Sequence, residues 1–362
     1  FHVGDSTYFR LRGVQYAQHP EGPLRWQPPV PLSENRTGIV DALSFGKDCI
    51  QGNILDRYDA VGLHEIGEDC LYLNVWAPRA SAPLPVLFWI HGGSFTNGGS
   101  SRFSGDGMMM LRRDAILVTS NYRLGAMGFL AGDAVKRSSS DGSAGNFALQ
   151  DNREALRWVK RNIASLGGDP SRVTIFGQSS GGSHVTTHMV MPRSAGLFSG
   201  AIAQSGAWDN FTVQAVDAAN NNFHMFAQHA GCGKAGDDDQ ILACLRRKPL
   251  RTLFGGDIMS AIANTSKDAL FGPTVDGVEL IDVPENLAAR GFINKLSGAL
   301  LGTAHDEGRF MLPLTESVPG GPFSTESEFL EWLKKYLQPE FVEEAFALYP
   351  ASDYGGSWWS AA

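Results

Sequence analysis

Residues 173–183, V-T-I-F-G-Q-S-S-G-G-S, restrict what this chain can fold into more than any other stretch. The run 173–176 is β-branched and aromatic, the composition of a buried strand. Gly177 ends it, Gly181 and Gly182 follow, and 183–189 reads as a helix. Between the glycines, G-Q-S-S-G fits the G-x-S-x-G pattern of a nucleophile elbow, with Ser179 at its centre. Such a turn holds its serine in strained backbone and needs neighbours with almost no side chain. The helix behind it points its N-terminus at the serine, where partial positive charge favours a developing oxyanion. In a chain with 42 glycines the pentapeptide could arise by chance, and the bland alternative is a serine-rich turn. The pattern occurs once, between a strand and a helix, and that context favours catalysis.

Other segments supply a scaffold. The run 86–90 (V-L-F-W-I) is continuously apolar, as a strand buried on both faces would be, and it leads into His91-Gly92-Gly93-Ser94-Phe95. Residues 115–120 form a second such strand, 71–76 an alternating one, and 200–206 and 297–303 small-residue strands. The start, 1–34, reads as loop-rich with one candidate strand at 9–14; its proline density from Pro20 to Pro31 indicates extended surface chain. Residues 146–166 are helical, with Leu156, Val159, Ile163 and Leu166 on one face and Arg153, Lys160 and Arg161 outward. The G-G-D-P at 167–170 stops that helix. Apolar strands alternating with helices predict an α/β fold, a mostly parallel sheet covered on both faces. Residues 207–290 read as a helical excursion over the strand ends, where α/β sites lie. Its Phe211, Phe223, Met225 and Phe226 are better explained by helix packing than by pocket lining. Thr325 and Glu328 form a capping box opening a helix to Tyr336, and Pro339 opens another to Tyr349.

The chain has 362 residues, 43% of them hydrophobic, enough for one large domain or two smaller ones. A net charge of −8 argues against nucleic acid or an anionic membrane as partner. The densest basic cluster, Arg246-Arg247-Lys248, reads as a solvated helix end. No apolar run approaches the roughly 20 residues of a membrane span, and the first residues lack the pattern of a signal peptide. The four cysteines fall in two close pairs, Cys49 with Cys70 and Cys232 with Cys244, without metal-site spacing. Bridged, each pair would stabilise by about 3 kcal/mol; four reduced core cysteines are the alternative. Sequons at Asn35, Asn210 and Asn264 lean towards secretion when taken with the cysteines.

An acyl-transfer elbow also needs a base, a group orienting that base, and donors for the oxyanion. The loop at 91–94 follows a buried strand, so the N–H groups of Gly93 and Ser94, with that of Ser180, are the expected donors. The bland account of Gly92-Gly93 is a turn.

These residues resemble a family. E-D-C-L-Y-L-N-V-W at 68–76, H-G-G-S-F at 91–95, N-Y-R-L-G at 121–125, and the run from Gly145 through F-G-Q-S-S-G-G are similar to the type-B carboxylesterase/cholinesterase family, over nearly the whole chain. The resemblance implies an α/β-hydrolase fold in a single domain, 1–362, incomplete at both ends. It implies disulfides Cys49–Cys70 and Cys232–Cys244, Ser179 as nucleophile, and Glu307 of H-D-E-G as the acid of the triad. Ser205 matches a serine that supports the acid. No metal or cofactor is implied.

Three departures from the family pattern shape the expected function. No histidine follows His305, whereas the resemblance places the base well beyond Glu307. His184 and His188 are expected to be packing or surface residues, and His91 belongs to the donor loop. A truncated or nicked product is therefore expected, with the base on a second polypeptide fragment. Gln178 stands where the family usually has Glu, and the Cys49–Cys70 loop lacks the tryptophan on which cholinesterases hold choline. Both point to neutral esters. The expected function is a secreted serine ester hydrolase, a carboxylesterase or lipase acting on a small-molecule ester. The alternatives are a catalytically silent binding module of the same fold and an acyl-transferring or lactone-forming enzyme.

Overall fold

Strands rich in Val, Ile and Leu pair into one sheet, and their order sets the two glycine-rich loops side by side. The computed structural model describes residues 2–3, 6–33, 38–51, 65–111, 114–206, 213–254, 271–305, 307, 325–337 and 339–356. The sequons at Asn35, Asn210 and Asn264, together with Phe211, Asp306 and Gly308, lie outside them. The chain divides into two units, Phe1–Gly302 and Thr303–Ala362.

The strands of the first unit are β1 (His2–Val3), β2 (Ser6–Gln15), β3 (Asp48–Cys49), β4 (Ile66–Gly67), β5 (Tyr72–Pro78), β6 (Leu84–Ile90), β7 (Ile116–Ser120), β8 (Gly168–Gln178), β9 (Gly200–Gln204) and β10 (Gly298–Gly302). Its helices are α1 (Gly105–Leu111), α2 (Gly125–Phe129), α3 (Asp133–Ser138), α4 (Phe147–Asn162), α5 (Ser180–Val190), α6 (Val216–His229), α7 (Asp238–Arg247), α8 (Leu250–Leu253) and α9 (Pro284–Ala289). Eight strands form the main sheet in the order β1-β2-β5-β7-β6-β8-β9-β10. β7, β6, β8, β9 and β10 run parallel, while β1, β2 and β5 join by antiparallel pairing. This is the mostly parallel α/β-hydrolase sheet expected.

Period-two alternation divides the side chains between the two faces. Val86, Phe88 and Ile90 of β6, Ile116 and Val118 of β7, and Val173 and Ile175 of β8 share a core with Leu156 and Val159 of α4 and Val185 of α5. Leu87, Trp89, Leu117 and Phe176 point the other way, towards Met108 and Met109 of α1. Leu87 and Trp89 are only part-buried, so β6 is not closed equally on its two faces as its continuous apolar run suggests.

Sequence and structure differ in four further places. The candidate strand at 9–14 forms as β2 but is longer, Ser6–Gln15, with Phe9, Leu11 and Val14 paired along β5. Gly167 ends the helical stretch in left-handed conformation at φ 84°, but Gly168 to Pro170 already belong to β8. Arg153, expected on the outward face of α4, is buried: its Nη2 donates to Glu279 Oε1 at 2.6 Å. A carboxylate arriving from a segment 126 residues away supplies the charge partner, which helical periodicity alone cannot register. Arg246 likewise is no solvated cation, since it donates to the carbonyls of Arg25 and Trp26.

Within the 207–290 excursion, Phe223 and Phe226 are buried, and Phe226 packs edge-on to Trp26 at 6.2 Å and to Phe271 at 6.1 Å. Helix packing is their role. Disulfides Cys49–Cys70 and Cys232–Cys244 are both formed, the second tying the end of α6 to α7. In the second unit, α10 (Glu326–Tyr336) opens on the Thr325/Glu328 capping box and packs Phe329 and Leu333 against Val342 of α11 (Pro339–Leu348).

Candidate active site

Adjacent parallel strands β6 and β8 end together, with Ile90 beside Gly177. The loop after β6 and the turn after β8 therefore leave the sheet as neighbours, at the carboxyl edge where α/β folds bind ligands. Ser179 sits between β8 and α5 at φ 57° and ψ −130°. Backbone of this kind costs a non-glycine residue roughly 1–3 kcal/mol and persists only where the surroundings hold it. Here Ser179 N–H donates to Gln204 O at 2.8 Å, and Ser179 O accepts from Ser183 N–H at 3.0 Å, opening the helix. The side chain remains part-exposed, within reach of a ligand.

The turn is this tight because Gly181 has no side chain: a Cβ there would stand 2.2 Å from Ile90 O. Gly93 in the neighbouring loop has φ 121°, and a Cβ on it would meet Asn97 O at 2.1 Å. Strain collects around these two segments. Among the described residues, the non-glycine positions with positive φ are Trp26, Ser94 (54°), Phe95 (61°), Ser179 (57°) and Ser205 (50°). Four of the five immediately follow β6, β8 or β9, neighbours at one edge of the sheet.

The nominated donors come from the loop after β6 and from the start of α5. Ser180 is the first residue of α5, where helix geometry leaves N–H groups without an intrahelical acceptor. Gly93 and Ser94 N–H have no backbone acceptor among the described residues, whereas Gly93 O is occupied by Thr96 and Asn97 N–H at 3.0 Å each. N–H groups left without a backbone acceptor near a helix N-terminus can stabilise negative charge developing on a carbonyl oxygen.

Tyr122 and Phe95 brace this loop. Tyr122, after β7, donates from Oη to His91 O at 2.7 Å. Phe95 N–H donates to Ser180 Oγ at 3.3 Å. His184 on α5 is buried, not on the surface, and its Nδ1 pairs with Asn152 Oδ1 of α4 at 2.6 Å. His188 is also buried, paired with Ser194 Oγ at 2.8 Å. Burial pushes the His91 imidazolium down to about 4 and that of His188 to about 3, and holds His184 well below the usual range. The three rings are neutral at pH 7. N-Y-R-L-G carried the only available signal for Tyr122; the pairing of His184 with Asn152 spans 32 residues and leaves none.

The remaining predicted residues are distributed as follows. Gln178, the last residue of β8, is exposed. Ser205 follows β9 and donates its N–H to Gly302 O at 2.7 Å. Glu307 belongs to the second unit, where its carboxylate accepts from Ala304 N–H at 2.9 Å. Among the described residues, no three or more His, Cys, Asp or Glu side chains gather as a metal site would require. No described helix is long and apolar enough to cross a membrane.

Comparison with known proteins gives two findings. Residues 3–348 match the carboxylesterase family. The chain is also similar to the cholinesterase of Mus musculus, 36% identical over an aligned length of 353 residues, with 92% of this chain and 56% of that protein covered. It spans little more than half the length of the curated relative it matches.

Proposed function

Since this chain belongs to the carboxylesterase family, we propose that it is a serine hydrolase of neutral carboxylic esters acting through an acyl-enzyme. The observation that carries the reading is Ser179 held at φ 57° beside a loop whose Gly93 and Ser94 N–H groups have no backbone acceptor among the described residues. In this mechanism Ser179 Oγ attacks the ester carbonyl. The carbonyl π electrons move onto oxygen, which accepts from the N–H groups of Gly93, Ser94 and Ser180. The serine proton passes to a histidine oriented by Glu307, and that histidine protonates the departing alcohol. Water then resolves the acyl-enzyme by the same steps. His91, His184 and His188 are poor candidates for that base, because they are buried and bind protons weakly.

Preference for neutral esters follows from two substitutions. Gln178 removes a carboxylate next to the nucleophile, and the Cys49–Cys70 loop offers no tryptophan face to a quaternary ammonium. Two disulfides fit an oxidising compartment, and we read the protein as secreted.

The full-length protein should hydrolyse p-nitrophenyl butyrate with an acyl burst and turn over butyrylthiocholine far more slowly. A fluorophosphonate should label Ser179, and Ser179→Ala should abolish both label and turnover. A protein that shows neither burst nor label is not an esterase and is better described as a binding module. Ester products formed with an added alcohol would point instead to acyl transfer.

A further inference from the structure

The loop after β6 is strained at two consecutive non-glycine residues, Ser94 and Phe95, so something must hold it. His91 and Phe95, which flank Gly92-Gly93-Ser94, are the ends of a row of rings in contact. His91 lies on Tyr122 with centroids 4.2 Å apart and planes 14° apart. Tyr122 in turn contacts His184 at 4.5 Å and 41°. His184 lies on Phe95 at 5.4 Å and 24°. Phe129 closes the side, edge-on to both Phe95 and His184 at 5.4 and 6.0 Å. Hydrogen bonds hold both residues as well: Tyr122 Oη donates to His91 O, Phe95 N–H donates to Ser180 Oγ, and Phe95 O accepts from Gly125 N–H at 2.7 Å.

His184 is the middle of this arrangement. It comes from α5, the helix that begins directly after Ser179, and Asn152 of α4 fixes its orientation. The ring that separates the two clamped ends is thus rigidly tied to the nucleophile's own helix. A shift of His184 moves Tyr122 and Phe95 together, and with them the N–H groups of Gly93 and Ser94 between them. We propose that His184 is a positioning residue for the oxyanion loop: its ring, packed between Tyr122 and Phe95, sets the distance and orientation of the loop's donors relative to Ser179. This rests on the esterase reading above. His184 touches no substrate and transfers no proton.

The test compares His184→Ala, His184→Leu and His184→Phe in the full-length protein. It measures kcat, KM and the affinity for a trifluoromethyl ketone, which becomes an oxyanion on adding to Ser179. Misplacing donors by about 1 Å costs about 100-fold in rate, so His184→Ala should lose kcat on that order with KM little changed. Ketone affinity should fall in parallel, because only the transition state and its mimic use the donors. His184→Phe restores a flat ring and should recover most of the loss. His184→Leu fills the volume without one, should behave like alanine, and decides the matter if the alanine variant does not fold. Unchanged kcat and ketone affinity in a folded alanine or leucine variant overturns the proposal, whatever happens to its melting temperature. A wild type that neither hydrolyses esters nor labels at Ser179 overturns the esterase reading and this inference together; an active wild type with indifferent His184 variants overturns this inference alone.

Discussion

At Gly181, the space available for a side chain ends 2.2 Å away, at the carbonyl of Ile90. The obstacle is backbone of a central strand and cannot rotate aside as a flexible side chain would. Gly181→Ala should therefore push the turn away from β6 and cost about 1–3 kcal/mol, the range for overpacking a tight site. Chemical denaturation measures it, and fluorophosphonate labelling should show a displaced, slower Ser179. An alanine variant with wild-type stability and labelling rate would mean that the two strands separate freely there. Ser179 was legible because its glycine neighbours leave a local pattern, and a local pattern survives in one dimension. Arg153 was not legible. Its periodicity placed it on the polar face of α4, and only Glu279 arriving from the excursion explains its burial.

Between elements, buried ion pairs tie the loops behind the site to helices and to the N-terminal segment. Arg123 follows β7 and donates from Nε and Nη2 to the two carboxylate oxygens of Asp151 on α4, at 2.8 and 2.7 Å. Its Nη1 donates to Gln27 O at 2.9 Å. Both side chains are almost wholly buried. Asp151→Asn keeps the shape but leaves the guanidinium charge without a counter-ion, which costs about 3–5 kcal/mol when a buried pair is broken from one side. The denaturation midpoint reads this directly, and a loss under 1 kcal/mol would show that water reaches the pair. Strand and helix identity at this scale was largely legible, from apolar runs and from the Thr325 capping box. Boundaries were less so. Pairing with β5 lengthens the strand expected at 9–14 to Ser6–Gln15, and pairing with β6 carries β8 back to Gly168.

Across the whole molecule, acid should act first through histidines. His91, His184 and His188 are buried uncharged, with native pKa values of about 4 for His91 and about 3 for His188, and well below normal for His184. The unfolded chain takes up these protons near pH 6.5. Between pH 6.5 and about 4 the unfolded state binds more protons than the native one, so stability rises with pH there and falls on acidification. Each histidine contributes up to about 1.4 kcal/mol per pH unit in that window and nothing above it. Melting temperature measured from pH 8 to 4 should stay level to about pH 6.5 and then decline. His184→Phe should shallow that decline, and a curve flat down to pH 4.5 would contradict the burial of these rings. Carboxylates held low by their partners, such as Asp106 and Asp141, add their own losses only at lower pH.

The sequence by itself determined what could be written locally or by period. It specified a glycine-framed turn with Ser179 at its centre, the apolar strands of a parallel sheet, the capping box, and the likeness that named the family and its two disulfides. The structure decided what depends on parts of the chain meeting across long separations. Strand order put the loop after β6 beside the turn after β8; Glu279 drew Arg153 inward; and His184 came to rest between Tyr122 and Phe95. A residue's own propensity reports the element it belongs to, while its neighbours across the fold are set by register and packing that no single segment encodes.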